Sequence, residues 1–209
     1  MGALLQWCLD HLNYWTITLL MTIESSFIPF PSEVVVPPAA YHAASNSEMN
    51  VVLIVLFATL GAITGALINY FISLWIGKPL VYRFADSKLG HMLLLSGEKV
   101  NKAEDYFNEH GAVSTFVGRL IPAIRQLISI PAGLSKMNLG RFVAFTALGA
   151  GIWNTVLAML GFVLEKSVPE DKLIETVTHY SHEIGYSIAA IVVVVLAVVI
   201  ISNRRKKKA

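Results

Sequence analysis

The stretch AVSTFVGRLIPAIRQLISIPAGLS, residues 112–135, is apolar almost throughout, yet it holds Arg119, Arg125, Pro122 and Pro131. Each proline removes a backbone donor and disturbs the turn before it. At membrane depth the freed backbone groups need protein or water beside them. The stretch therefore reads as a re-entrant hairpin, two half-helices whose turn residues are Pro122, Pro131 and Gly133. Residues 12–46 read the same way: an apolar run broken at FIPFPSEVVVPP, with the turn at Pro29 and Pro31.

The two hairpins also resemble each other in sequence. A shift of 93 positions lays Ile28-Pro29 on Ile121-Pro122, Pro38-Ala39 on Pro131-Ala132, and Ala40 on Gly133. The same shift carries the apolar segment beginning at Val51 onto the one beginning at Ala144. This predicts a unit of hairpin plus spanning helix, used twice.

Working outward, residues 51–76 carry no charge and suit a full span, which needs about 20 apolar residues. Residues 142–164 and the shorter 186–202 are the second and third predicted spans. Gly61 and Gly65 form a small-xxx-small face for close helix packing. The whole chain of 209 residues is 55% hydrophobic and 14% charged, with mean hydropathy +0.62. A soluble domain carries about 25% charged residues. The expected fold is therefore an all-α polytopic membrane protein with two inverted re-entrant helical hairpins and about three full transmembrane helices, in one membrane domain.

A net charge of +2 gives no reason to expect a nucleic-acid partner. Cys8 is the only cysteine, and the six histidines show no metal-ligand spacing, so neither a disulfide, a metal site nor a cofactor is expected. The first residues lack positive charge and include Asp10, so residues 1–11 read as an interfacial helix and not as a cleavable signal peptide. No nucleophile–base motif appears, and the chain is not expected to be an enzyme.

Charge sets the topology. No lysine or arginine precedes Lys78; basic residues then fill 78–111, the 136–141 loop and the tail at 203–209. Residues 165–185 carry Glu165, Glu170, Asp171, Glu175 and Glu183 against Lys166 and Lys172. The positive-inside rule puts the basic segments in the cytoplasm, so 78–111 is an amphipathic cytoplasmic segment and the C-terminus is cytoplasmic. This solution works only if 112–135 enters and leaves on the inner face and 12–46 on the outer. The hairpins are then inverted copies, a plan that secondary transporters use around a midplane site.

Four charges remain inside apolar segments: Glu24, Glu33, Arg119 and Arg125. Each costs roughly 2.5–3.5 kcal/mol at bilayer centre on insertion scales, so they need partners or water. Arginine keeps its charge and offers a planar fork suited to phosphate, which makes Arg119 and Arg125 candidate ligands for an anionic lipid headgroup. Burial disfavours ionised carboxylates, which makes Glu24 and Glu33 candidate proton carriers. Static ion pairing between the hairpins is the structural alternative. These arguments define a transporter-like site without naming its cargo.

The run from Glu24 through FIPFPSE, the pattern Gly61, Gly65, Tyr70, Gly77, and above all Phe116, Arg119, Pro122, Arg125, Pro131, Ala132, Gly133 resemble the DedA family of bacterial membrane proteins. The family shares its domain with eukaryotic VTT-domain lipid scramblases. The resemblance covers roughly residues 12–165. It implies a bacterial cytoplasmic membrane protein that translocates a phosphate-bearing lipid, such as undecaprenyl phosphate or a phospholipid, driven by the proton-motive force and supporting the cell envelope. It also implies that Glu24, Arg119 and Arg125 are essential. Glu33 stands where many members have an aspartate farther along, and Asn69 where an acid is frequent. A proton-coupled small-ion transporter is the competing expectation. The oligomeric state is left open, a homodimer included.

Overall fold

The structure, a computed structural model, describes residues 11–26, 32–46, 49–87, 96–121, 125–169, 172–181, 183–185, 187 and 190. Pro29, Pro31 and Pro122, the interfacial helix predicted for 1–11, nearly all of the predicted span 186–202 and the basic tail lie outside the described residues. The described residues are helical, without a strand.

The order is α1 (Tyr14–Glu24), a 3-10 turn (Ser32–Val34), α2 (Val36–Asn46), α3 (Val51–Ala85), α4 (Gly97–Leu120), α5 (Ser129–Leu134) and α6 (Leu139–Leu164). Two segments, Val51–Gly77 and Leu139–Leu164, are long and apolar enough to cross a membrane. At 1.5 Å per residue each is about 40 Å long, against about 30 Å of hydrocarbon core. By contrast α1 and α2 have 11 residues each, about 16 Å or half that thickness.

Local chemistry sets these boundaries. Asn13 caps α1, accepting from the Trp15 and Thr16 backbone, while Thr16 bonds back to the Asn13 N–H. Pro37 and Pro38 fall in the first turn of α2, where a backbone N–H has no intrahelical acceptor to lose. Within α3, Gly77 has φ 70° and breaks the helix just before Lys78 and Pro79. A side chain would resist that left-handed backbone. Within α4, His110 has φ −126° and separates a charged portion from the apolar 111–120.

The packing sets α1, α2, α4 and α5 each against a long helix. α1 and α5 lie along α3, while α4 and α2 lie along α6. α1 runs in the same direction as α3. Tyr14 stacks on Phe57 at 5.1 Å, the Cβ that Gly61 lacks would sit 2.5 Å from the Thr18 carbonyl oxygen, and Asn69 reaches Ser25. α5 takes the other half of α3, with Gly133 against the Tyr70 carbonyl and the Ser73 side chain. On α6, Gly149 meets Arg119 and Phe116 of α4, and Gly161 meets the Pro37 backbone of α2. Each long helix thus carries one helix from residues 12–46 and one from residues 97–134.

Two apolar clusters fill the spaces. One joins Ile17, Leu20 and Met21 to Val35, Val36, Trp153 and Leu157; the other joins Tyr70, Phe107, Ala132 and Phe142. Tyr70 also stacks on Phe142 at 4.9 Å and donates its hydroxyl to the Met137 carbonyl at 2.6 Å.

Two sequence expectations change here. Pro131 and Gly133, expected at a hairpin turn, lie inside α5, with Pro131 near its start and Gly133 serving the close approach to α3. The helix instead closes at Lys136 (φ 51°), where Lys136 N–H bonds the Gly133 carbonyl and Met137 N–H the Ala132 carbonyl. The acidic stretch read as a loop is helical over 172–181, with Leu173, Val177 and Ser181 buried. That i, i+4, i+8 stripe packs its apolar members on the first cluster.

Candidate functional site

The four charges expected to matter are all buried and near one another. Relative exposure is 2% for Glu24, 5% for Glu33, 3% for Arg119 and 9% for Arg125. Glu24 ends α1 and Glu33 sits in the 3-10 turn; Arg119 is in the last turn of α4, and Arg125 lies in the turn leading into α5. The acids lie within residues 12–46 and the arginines within residues 112–135.

Arg125 is the hub. Its Nη2 lies 2.9 Å from Glu24 Oε1 and 3.6 Å from Glu33 Oε2. Its guanidinium carbon stands 5.6 Å from the centre of the Trp153 ring, a cation–π contact from α6. Arg119 Nη2 donates to Ser129 Oγ at 2.9 Å, which clips the end of α4 to the start of α5. The Ser25 hydroxyl donates to Glu24 Oε2 at 2.7 Å, and the Ser25 carbonyl accepts from Asn69 Nδ2 at 3.1 Å.

Charges this dry are stable only when paired, because desolvation is repaid only by close partners. Two carboxylates and two guanidiniums sum formally to zero, but the pairing is uneven. Arg125 is held by two acids, whereas the polar bond found for Arg119 goes to a neutral hydroxyl. A cavity of about 20 Å³ lies among them, lined by Glu24, Ser25, Arg119, Arg125, Trp153 and Asn154 with smaller apolar residues. Its volume admits a water molecule and excludes a phosphate group.

The cluster lies near mid-length of both long helices, beside Asn69 of α3 and Gly149 to Asn154 of α6. Glycines 61 and 65, expected at a packing face, bring α1 onto α3 and so deliver Glu24 there. Ser25, Ser129 and Trp153 went unrecognised in the sequence. Ser25 adjoins Glu24, but serine and tryptophan are ordinary in membrane helices, and only the tertiary contacts distinguish them. Among the described residues no group of histidines, cysteines and carboxylates fits a metal ion.

Two long apolar helices around a buried, charge-compensated cluster fit a membrane protein with an internal polar site. The chain belongs to the VTT-domain, or DedA, family: that domain matches residues 25–163. It is 38% identical over 156 residues to an "Alkaline phosphatase-like protein" of Lactococcus lactis subsp. cremoris, covering 75% of this chain and 72% of the relative. It is 31% identical over 159 residues to "Undecaprenyl phosphate transporter A" of Staphylococcus aureus, covering 76% and 77%. An "Uncharacterized membrane protein YkoX" of Bacillus subtilis is 37% identical over 153 residues, covering 73% and 65%. No solved structure matches the chain.

Proposed function

We propose that this protein is a bacterial cytoplasmic-membrane translocase for a lipid carrying a phosphate headgroup, linked to the proton-motive force. The observation that carries the reading is Arg125 held by Glu24 and Glu33, with Arg119 beside it at a water-sized cavity between the two proposed repeats. Protonation of the glutamates weakens their hold on Arg125. A headgroup then takes over both arginines, and the hairpins part to admit it. Return of the carboxylates to the charged form displaces the phosphate on the other face.

The placement in a bilayer has support of its own. Trp15 packs on Phe57 and is 77% exposed, and Trp75 is 81% exposed. Phe57 and Trp75 are 18 residues apart on α3, about 27 Å, the spacing of two interfacial aromatic belts. Between them Leu60 and Ile68 face outward. In this reading 12–46 and 112–135 are re-entrant hairpins that enter from opposite faces, with the C-terminus inside.

The name of the staphylococcal relative agrees with this cargo class. The test is flipping of a labelled prenyl phosphate in proteoliposomes, with and without a pH gradient. Unchanged flipping by an Arg119→Ala, Arg125→Ala double variant would refute the headgroup role. The competing reading, proton-coupled transport of a small ion, draws on the water-sized cavity; ion flux without lipid movement favours it.

A further inference from the structure

Among the described residues three buried N–H donors beside this cavity have no hydrogen-bond acceptor, Arg119 Nε, Arg125 Nε and Trp153 Nε1, against one such acceptor atom on its lining residues, Glu24 Oε1, which is ion-paired to Arg125. All three residues line the same space. Trp153 is 2% exposed, so its indole N–H has no bulk water either. Unmade bonds of this kind oppose burial, and native interiors hold few of them. One water in this cavity, accepting about two hydrogen bonds, leaves at least one donor unserved.

An excess of donors in a small buried space fits a ligand rich in acceptors. The terminal phosphate of a monoester has three oxygens free to accept, whereas a diester headgroup has two. We infer that the Trp153 indole N–H is a third phosphate-contacting donor beside Arg119 and Arg125, and that it makes the site prefer a lipid ending in a phosphate monoester over a phosphodiester lipid. The inference rests on the lipid-carrier reading and adds to it a residue from α6 that carries no charge. The tryptophan also has a packing role, since its ring faces Arg125. Phenylalanine keeps an aromatic ring there and removes only the donor.

The test uses the full chain in detergent with two probes, dodecyl phosphate and dodecyl methyl phosphate. The wild type binds the monoester more tightly. Trp153→Phe lowers monoester affinity about tenfold and leaves the diester unchanged. The Trp153 indole N–H resonance, assigned by its loss in that variant, moves when the monoester is added to the wild-type protein; this arm needs no altered fold. A resonance that stays in place, or equal monoester binding by wild type and Trp153→Phe, overturns the role of Trp153. If monoester binding is nonetheless lost in Arg119→Gln, the lipid-carrier reading survives that result. If the wild type binds neither ester, both readings fall together.

Discussion

Glu24 closes α1, and its carboxylate meets the guanidinium of Arg125, just before α5, at 2.9 Å, with both side chains nearly sealed from solvent. Removing one partner strands the other. Glu24→Gln and Arg125→Gln are each expected to cost about 3–5 kcal/mol, and the double variant less than their sum. Thermal melting in detergent across the four proteins measures this; additive losses would show that the pair is not coupled.

Arg119 hydrogen-bonds through one arm of its fork to Ser129. Lysine keeps the charge but cannot present the same planar pair of donors. Arg119→Lys is expected to lower lipid flipping at least about tenfold, roughly 1.4 kcal/mol, with little change in melting temperature. Initial flipping rates in proteoliposomes check the first part. A rate like that of the wild type would mean that charge alone suffices.

Gly161 has no room for a side chain, because a Cβ there would collide with the Pro37 backbone. Gly151, ten residues earlier on α6, would find its nearest neighbour, Thr59, 3.8 Å away. Gly161→Leu is expected to destabilise by at least about 1–3 kcal/mol through overpacking, and Gly151→Ala to be neutral or slightly stabilising. The fraction of monodisperse protein after solubilisation separates the two outcomes.

Opposed hairpins make a labelling prediction. Ser45 near the end of α2 and Lys136 just beyond α5 are both exposed. In a Cys8→Ser background, Ser45→Cys should react with an impermeant thiol reagent only from outside, and Lys136→Cys only from inside. Labelling of both from one face would rule out the inverted arrangement.

One relative bears a phosphatase-like name, and Ser25 does place a hydroxyl beside a carboxylate. Yet that hydroxyl donates to Glu24, the carboxylate that also holds Arg125. No inorganic phosphate should appear when the protein is incubated with prenyl phosphate; a colorimetric phosphate assay decides.

The long helices and the charged quartet could be read from the sequence because both depend on local composition: an uncharged run must be covered by lipid or protein, and a charge within one must be paired. The pairing itself could not be read. Arg119 and Arg125 share a cavity with Glu24 because α1, packed on α3, and α4, packed on α6, end beside one another, a relationship with no local sequence mark. Leu173 and Val177 were obscured by a physical coincidence: five acids in 165–185 dominate its charge, while the buried stripe occupies only every fourth position. Pro131 misled for a related reason, since proline serves a turn and a first helical turn equally well.

α3 bears α1 along one half of its length and α5 along the other, and α6 does the same for α4 and α2. Neither proposed hairpin therefore has a bed of its own. A tilt of α3 that loosens α1 at one end presses α5 at the other, as a beam turns about its fulcrum, and the fulcrum lies beside the ion cluster at Asn69. In the proposed translocase, this ties opening toward one side of the bilayer to closure toward the other by shared struts.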